Sequence, residues 1–184
     1  MDSTGAQDQS KRQAAANTDQ LTEVSMSSTG VSTDTSTTAP EVGAVDMKLE
    51  VVTLPVSDVD RAKRFYQSLG WRLDIDLVVS DDARSVQFTP PHSQCSIHFG
   101  KGLTAAEPGS VDRLILTVTD IDSARDDLIS RGVDVSEVDE RPPPPGLESL
   151  GRSYFAYASF RDPDGNGWLL QEVTTRIPGR EWDD

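Results

Sequence analysis

The chain has 184 residues, a net charge of −14 and a single cysteine. Its acidity repels phosphate backbones and anionic bilayers, so neither nucleic acid nor a membrane surface is an expected partner, and no apolar run reaches the ~20 residues of a membrane span. One cysteine permits no internal disulfide framework and fits a reducing compartment, so the expected location is the cytoplasm.

Residues 1–46 hold fifteen Ser or Thr, no aromatic residue, and seven acids against two bases. Such a stretch cannot bury enough apolar surface to offset its ordering entropy, and a disordered tail is expected. It has neither the apolar run of a secretory signal nor the basic bias of a mitochondrial presequence. The patterned region is 47–184, read as one domain. Lys48 to Val56 reads as a strand that ends at Pro55. Asp58 is placed to cap a helix whose apolar positions Ala62, Phe65, Tyr66 and Leu69 recur at helical spacing, with Gly70 as its stop. Trp71, Leu73, Ile75 and Leu77 then alternate with Arg72, Asp74 and Asp76, the pattern of a half-buried strand. Ser85–Thr89 and Gln94–Phe99 follow as two more strands.

After the linker Gly100 to Gly109 the order repeats. Asp112–Val118 reads as a strand, Asp120 opens a helix that ends at Gly132, and Val133–Val138 is the next strand. A proline-rich loop (RPPPPGLESLGR) intervenes before the strands Tyr154–Phe160 and Gly167–Val173, which are joined by the turn Asp162-Pro163-Asp164-Gly165-Asn166. An unstructured loop of that length is often a functional lid. The segment Leu54–Gly70 recurs 62 residues later as Leu116–Gly132, with seven of seventeen positions identical; about one match is expected by chance. One β-α-β-β-β unit is therefore used twice, over roughly 47–100 and 111–175. The fold class is α+β.

A paired β-α-β-β-β repeat resembles the vicinal oxygen chelate superfamily, which includes glyoxalase I, extradiol dioxygenases and bleomycin-binding proteins. The motifs that carry the resemblance are L-x-V-S-D-V-D-R-A-x-R-F-Y-x-x-L-G-W from Leu54 to Trp71 and R-D-P-D-G-N-G-W-L-L-Q-E from Arg161 to Glu172. The resemblance implies two modules whose eight strands curl into a cup around the site, within one chain or across a homodimer. It also implies where metal ligands would stand in metal-using members: Val51, Arg113, Leu169 and a position within Ser96–His98. Val and Leu have no lone pair to donate, and Arg is permanently cationic. A lone imidazole cannot hold a metal that takes three or four protein ligands. No metal and no cofactor are expected.

Alternation along the strands places Val51, Thr53, Arg113, Thr117, Leu169 and Gln171 on the cup face, with His98 and either Tyr154 or Tyr157 nearby. Apolar walls with a few polar groups describe a site for a small organic molecule. Two functions follow. The residues lean toward a metal-independent enzyme of lyase, isomerase or cyclase type, with His98 as acid or base and Arg113 stabilising negative charge. The alternative is a non-catalytic protein that binds or sequesters a drug or metabolite. Each residue also has a plainer reading: His98 as a satisfied structural histidine, Arg113 as the partner of Glu172, Trp71 and Trp168 as core, and D-P-D-G-N as a β-turn rather than a calcium loop.

Overall fold

The two copies of the repeat differ less in their helices than in their strands. The computed structural model describes residues 47–177; the Ser/Thr-rich segment 1–46 expected to be disordered, and residues 178–184, lie outside them. The first copy runs β1 (Val51–Thr53), α1 (Val59–Ser68), β2 (Arg72–Ser80), β3 (Ala83–Thr89) and β4 (Ser96–Lys101). The second runs β5 (Leu114–Val118), α2 (Ile121–Ser130), β6 (Asp139–Glu140), β7 (Ala156–Arg161) and β8 (Gly167–Glu172), with a turn of 3-10 helix at Glu148–Leu150. The helices match because their start signals match. The Asp58 carboxylate accepts the Arg61 backbone N–H at 2.9 Å, and that of Asp120 accepts the Ser123 N–H at 3.0 Å, each satisfying an otherwise orphaned donor of the first turn.

Each copy forms a four-stranded mixed sheet, in the orders β1-β4-β3-β2 and β5-β8-β7-β6. The outer pairs β1/β4 and β5/β8 are parallel and the rest antiparallel. Thr53 lies beside His98, which lies beside Gln87, which is followed outward by Ile75. In the second sheet the corresponding row is Ile115, Leu169 and Ser159. Thr53 and Ile115 are equivalent in the repeat, so His98 is the counterpart of Leu169. That fixes the fourth-strand register, which the sequence leaves open across Ser96–His98.

Several strands are shorter than their patterns predict. The first spans three residues, because Pro55 has no N–H to continue the parallel ladder. Val133–Val138 is not a strand. Val135 makes a single bridge to Phe160, and the paired segment starts later, at Asp139. Between them Ser136 donates its backbone N–H to Ser159 O, while its hydroxyl accepts the Ser159 N–H at 2.9 Å, so a side chain substitutes for one rung of the ladder. Tyr154 and Arg113, both expected inside strands, have φ of +68° and +62°, and their strands begin only at Ala156 and Leu114. The second strand is longer than expected, reaching Ser80, with register irregularities at Asp74 and Val79.

The helix-facing sides of both sheets share one core. Tyr66 of α1 is fully buried among Trp71, Phe88, Phe99 and Trp168, with ring centroids 5.2–6.3 Å apart. Trp71 meets Trp168 edge-on at 5.2 Å, so both tryptophans are core residues. The D-P-D-G-N turn joins the two copies from the polar side. Buried Asp162 accepts four hydrogen bonds, from Tyr66 Oη (2.9 Å), Asn166 Nδ2 (2.8 Å) and the backbone N–H groups of Asp164 and Asn166 (2.9 Å each). Asn166 also donates to Pro55 O at 3.0 Å. Next to it, Asp164 Oδ1 accepts from the Ser57 backbone N–H (3.1 Å) and from Arg61 (2.7 Å). Gly109 lies so close that a Cβ there would come within 2.1 Å of the Asp164 carbonyl oxygen.

Tyr66→Phe keeps the ring and removes one donor from a buried carboxylate. We expect it to lower unfolding stability by about 1–3 kcal/mol in urea titrations; a change within error would show that the polar link between the copies is dispensable.

Candidate functional site

With both helix-facing sides buried in the shared core, the opposite face of each sheet is open. On the second sheet this face forms a concavity of about 630 Å³. Arg113 and Ile115 on the β5 side and Leu169 and Gln171 of β8 make its floor, continued by Tyr157 and Ser159 of β7. Phe155, Asp139 and Arg141 border it, and Pro142 and Pro144 of the proline-rich loop complete one wall. That loop is tethered at its far end, where Arg152 reaches Asp122 (3.1 Å) and Glu140 (3.2 Å). Apolar and polar side chains share the lining, with Ile115, Leu169, Phe155 and the two prolines giving the apolar surface.

One of those polar groups is already engaged. Gln171 Nε2 lies 3.3 Å from both Tyr154 O and Tyr157 Oη, and the Tyr157 hydroxyl donates to the same Tyr154 carbonyl. The left-handed backbone of Tyr154 points its carbonyl this way, while its own hydroxyl accepts the Ile177 N–H at 3.4 Å. Of the two tyrosines, it is Tyr157 whose ring lines the concavity. Arg141 is also engaged, by Asp139 at 2.8 Å.

Arg113 is different. Its plainer reading required Glu172, but Glu172 is buried on the core side, where it accepts the Ile121 N–H at 3.2 Å and lies 3.9 Å from Arg152. Among the described residues the Arg113 guanidinium makes no hydrogen bond or ion pair. It also borders a second concavity of about 610 Å³, which shares Ser136, Ser159 and Leu169 with the first and adds Asp112, Asp134 and Arg161. A non-glycine residue at φ +62° costs roughly 1–2 kcal/mol.

The remaining sequence candidates divide by sheet. Thr117 is exposed and stands beside Gln171 in the same row, outside the lining of either concavity. Val51, Thr53 and His98 belong to the first sheet, on its open face. His98 Nε2 is hydrogen-bonded to Ser85 Oγ at 2.8 Å, and burial lowers the imidazole pKa, favouring the neutral ring. Around it the same face exposes Ile75 (44%) and Leu77 (55%). Thus Arg113, Leu169 and Gln171 come together, while His98 lines neither concavity with them. Phe155, Ser136, Ser159 and Arg141 were missed by sequence reasoning. The loop was recognised as a lid candidate, but only the delayed start of the strand after it shows which residues it delivers.

At the metal-ligand positions implied by the resemblance, His98 is the one side chain able to donate, and its row neighbours are Thr53, Gln87 and Ile75, none of them anionic. Among the described residues no group of three or more His, Cys, Asp or Glu is arranged to hold a metal ion. Val51 and Leu169 have no lone pair to offer a divalent ion, and Arg113 is permanently cationic. Nor, among the described residues, is any helix long and apolar enough to cross a membrane.

Two α+β modules with mixed sheets, a shared core and open outer faces define the class of glyoxalase-like folds. The chain matches the Glyoxalase/Bleomycin resistance protein/Dioxygenase superfamily over residues 48–170 and belongs to it. Among solved structures it is similar to TnmS3, an antibiotic binding protein from Streptomyces sp. CB03234, at 28% identity and a TM-score of 0.54, covering 71% of this chain and 98% of that one. A glyoxalase/bleomycin resistance protein from the same organism is 30% identical, with a TM-score of 0.50 over 66% of this chain and 96% of that one. A superfamily member from Sphaerobacter thermophilus DSM 20745 is 26% identical, with a TM-score of 0.55 over 69% and 98%. No curated protein matches the sequence.

Two outcomes follow for single variants. Arg113→Gly should raise stability by about 1 kcal/mol in thermal or urea unfolding, because glycine adopts the left-handed conformation without strain. For His98, the folded-state pKa is depressed below its ordinary 6.5. Below that value the unfolded chain binds a proton more readily than the folded one, so stability falls as pH drops through and below it. His98→Gln should make the stability-against-pH curve flatter between pH 7.5 and 5.5; an unchanged slope would mean that other groups set it.

Proposed function

We propose that this protein binds and sequesters a small, largely apolar organic molecule in the concavity of the second sheet, without a resident metal. The observation that carries this reading is the lining itself: Ile115, Leu169, Phe155, Pro142 and Pro144 supply apolar surface, and Arg113, Tyr157 and Gln171 supply polar groups on the same concavity. Similarity to an antibiotic binding protein supports the same reading. The sequence leans toward a metal-independent lyase or isomerase, with His98 moving a proton and Arg113 stabilising charge. That mechanism needs both side chains at one ligand, and within a single chain they belong to different sheets. Binding is therefore preferred.

The proposal includes a homodimer, and a cytoplasmic site of action consistent with the lone free Cys95. The open face of the first sheet presents Ile75 and Leu77 to solvent, exposed apolar side chains of the kind found at interfaces. A second copy covering it would bring His98 to a ligand, which is how the catalytic reading could be recovered.

The test is a 1H–15N NMR titration of the full chain, first with zinc, nickel and ferrous iron and then with a metabolite library. Saturable shifts of Ile115, Tyr157, Leu169 and Gln171 with an organic compound, without turnover, are expected. Saturable metal shifts at His98 and Arg113 would overturn the metal-free reading, and conversion of the bound compound would restore the enzyme. For assembly, sedimentation velocity should report a dimer that Ile75→Asp/Leu77→Asp converts to monomer; a monomeric wild type would sink that part of the proposal.

A further inference from the structure

Every other cation lining the ligand concavity or its neighbour is accounted for. Arg141 is held by Asp139 at 2.8 Å, and Arg161 donates to Gly165 O at 2.6 Å and lies 3.5 Å from Asp112. Of the cations lining these two concavities, Arg113 alone makes no hydrogen bond or ion pair among the described residues, in a chain whose net charge is −14 and which therefore has carboxylates to spare. Asp134 borders the adjoining concavity and makes no ion pair with it. The side chain is held at this spot by a strained backbone, φ +62°, that glycine would adopt without cost. Arg113 is exposed, so water solvates it in the free chain; what marks it is a left-handed backbone holding a cation at the edge of an apolar floor, and such outliers are found where a ligand is clamped.

From this we infer that Arg113 is an anion-recognition residue, and that the concavity selects organic monoanions: an apolar, ring-bearing body carrying one carboxylate, sulfonate or acidic phenolate. The inference rests on the binding reading above and adds the ligand's charge to it. The Asp139–Arg141 pair is internally neutral, so Arg113 gives this concavity a single net positive charge. Its planar fork matches the two oxygens of a carboxylate or sulfonate. Ile115 and Leu169, beside it on the floor, then receive the apolar body, and Gln171 with Tyr157 forms the polar limit on the far side. A neutral ligand of the same shape would leave the guanidinium partly desolvated and unpaired. The chain's overall acidity opposes the approach of anions at long range, so the selectivity arises at contact.

Two fluorescent probes separate charge from shape. 1-Anilinonaphthalene-8-sulfonate and N-phenyl-1-naphthylamine share their ring system and differ by the sulfonate. With the full chain, the anionic probe is expected to bind more tightly. Arg113→Gln keeps the backbone strain and removes the charge; it should weaken the anionic probe roughly ten-fold and leave the neutral one within about two-fold. Arg113→Lys should restore part of the loss, since it keeps the charge without the fork. Leu169→Asn should weaken both probes by removing apolar floor, with thermal melts confirming that each variant is folded. Equal affinity of wild type and Arg113→Gln for the anion overturns the inference, while a neutral probe still sensitive to Leu169→Asn leaves the binding reading standing. If neither probe responds to Leu169→Asn, the concavity is not the site and both fall.

Discussion

The arrangement depends on a buried carboxylate. Asp162 is enclosed by the shared core, and a charge in that position is tolerable only when fully satisfied. Its four hydrogen bonds come from both modules: the Tyr66 hydroxyl from α1, and Asn166 and the turn backbone from the second copy. Burial, and next the neighbouring Asp162 charge, push the Tyr66 phenol pKa far up, so the ring stays a donor. Trp168 Nε1, 3.3 Å from the same hydroxyl, extends the network into the aromatic cluster. A polar lock set inside an apolar core fixes one relative placement of the modules, where apolar packing alone would tolerate several.

That placement decides which surfaces remain for function. Once the helix-facing sides are joined, the outer faces of the two sheets are left open. They are unlike each other despite their common ancestry in the repeat. The first mixes polar and apolar side chains, with His98 and its Ser85 bond near the centre and Ile75 and Leu77 exposed on the outer strand. The second is shortened at β6 and walled by the proline-rich loop, so that it holds a concavity.

Arg113 and a divalent ion have a property in common: each places positive charge on the open face of a sheet. A divalent ion would occupy the place where ligand oxygens are drawn in. Arg113 supplies positive charge at one of the positions equivalent to a ligand, and does so without coordination chemistry.

The helices, the modular repeat and the core were legible in the sequence because they rest on local signals: two capping aspartates 62 residues apart, helical spacing of Ala62, Phe65, Tyr66 and Leu69, and two terminating glycines. The chemical character of the site was partly legible for the same reason, since alternation put Arg113, Leu169 and Gln171 on one face. Local pattern could not reveal that Ser136 would use its hydroxyl in place of a ladder bond, or that Tyr154 and Arg113 would adopt left-handed conformations at strand entries. Those choices are imposed by neighbours far along the chain. Nor could it show that His98 and Arg113 belong to separate open faces, because alternation specifies the side of a sheet and not what the sheet turns toward. The sequence by itself determined the elements, their repetition and the residues available for binding. Tertiary structure decided which of them meet, because the lock at Asp162 is assembled from groups about a hundred residues apart and exists only when the chain is folded.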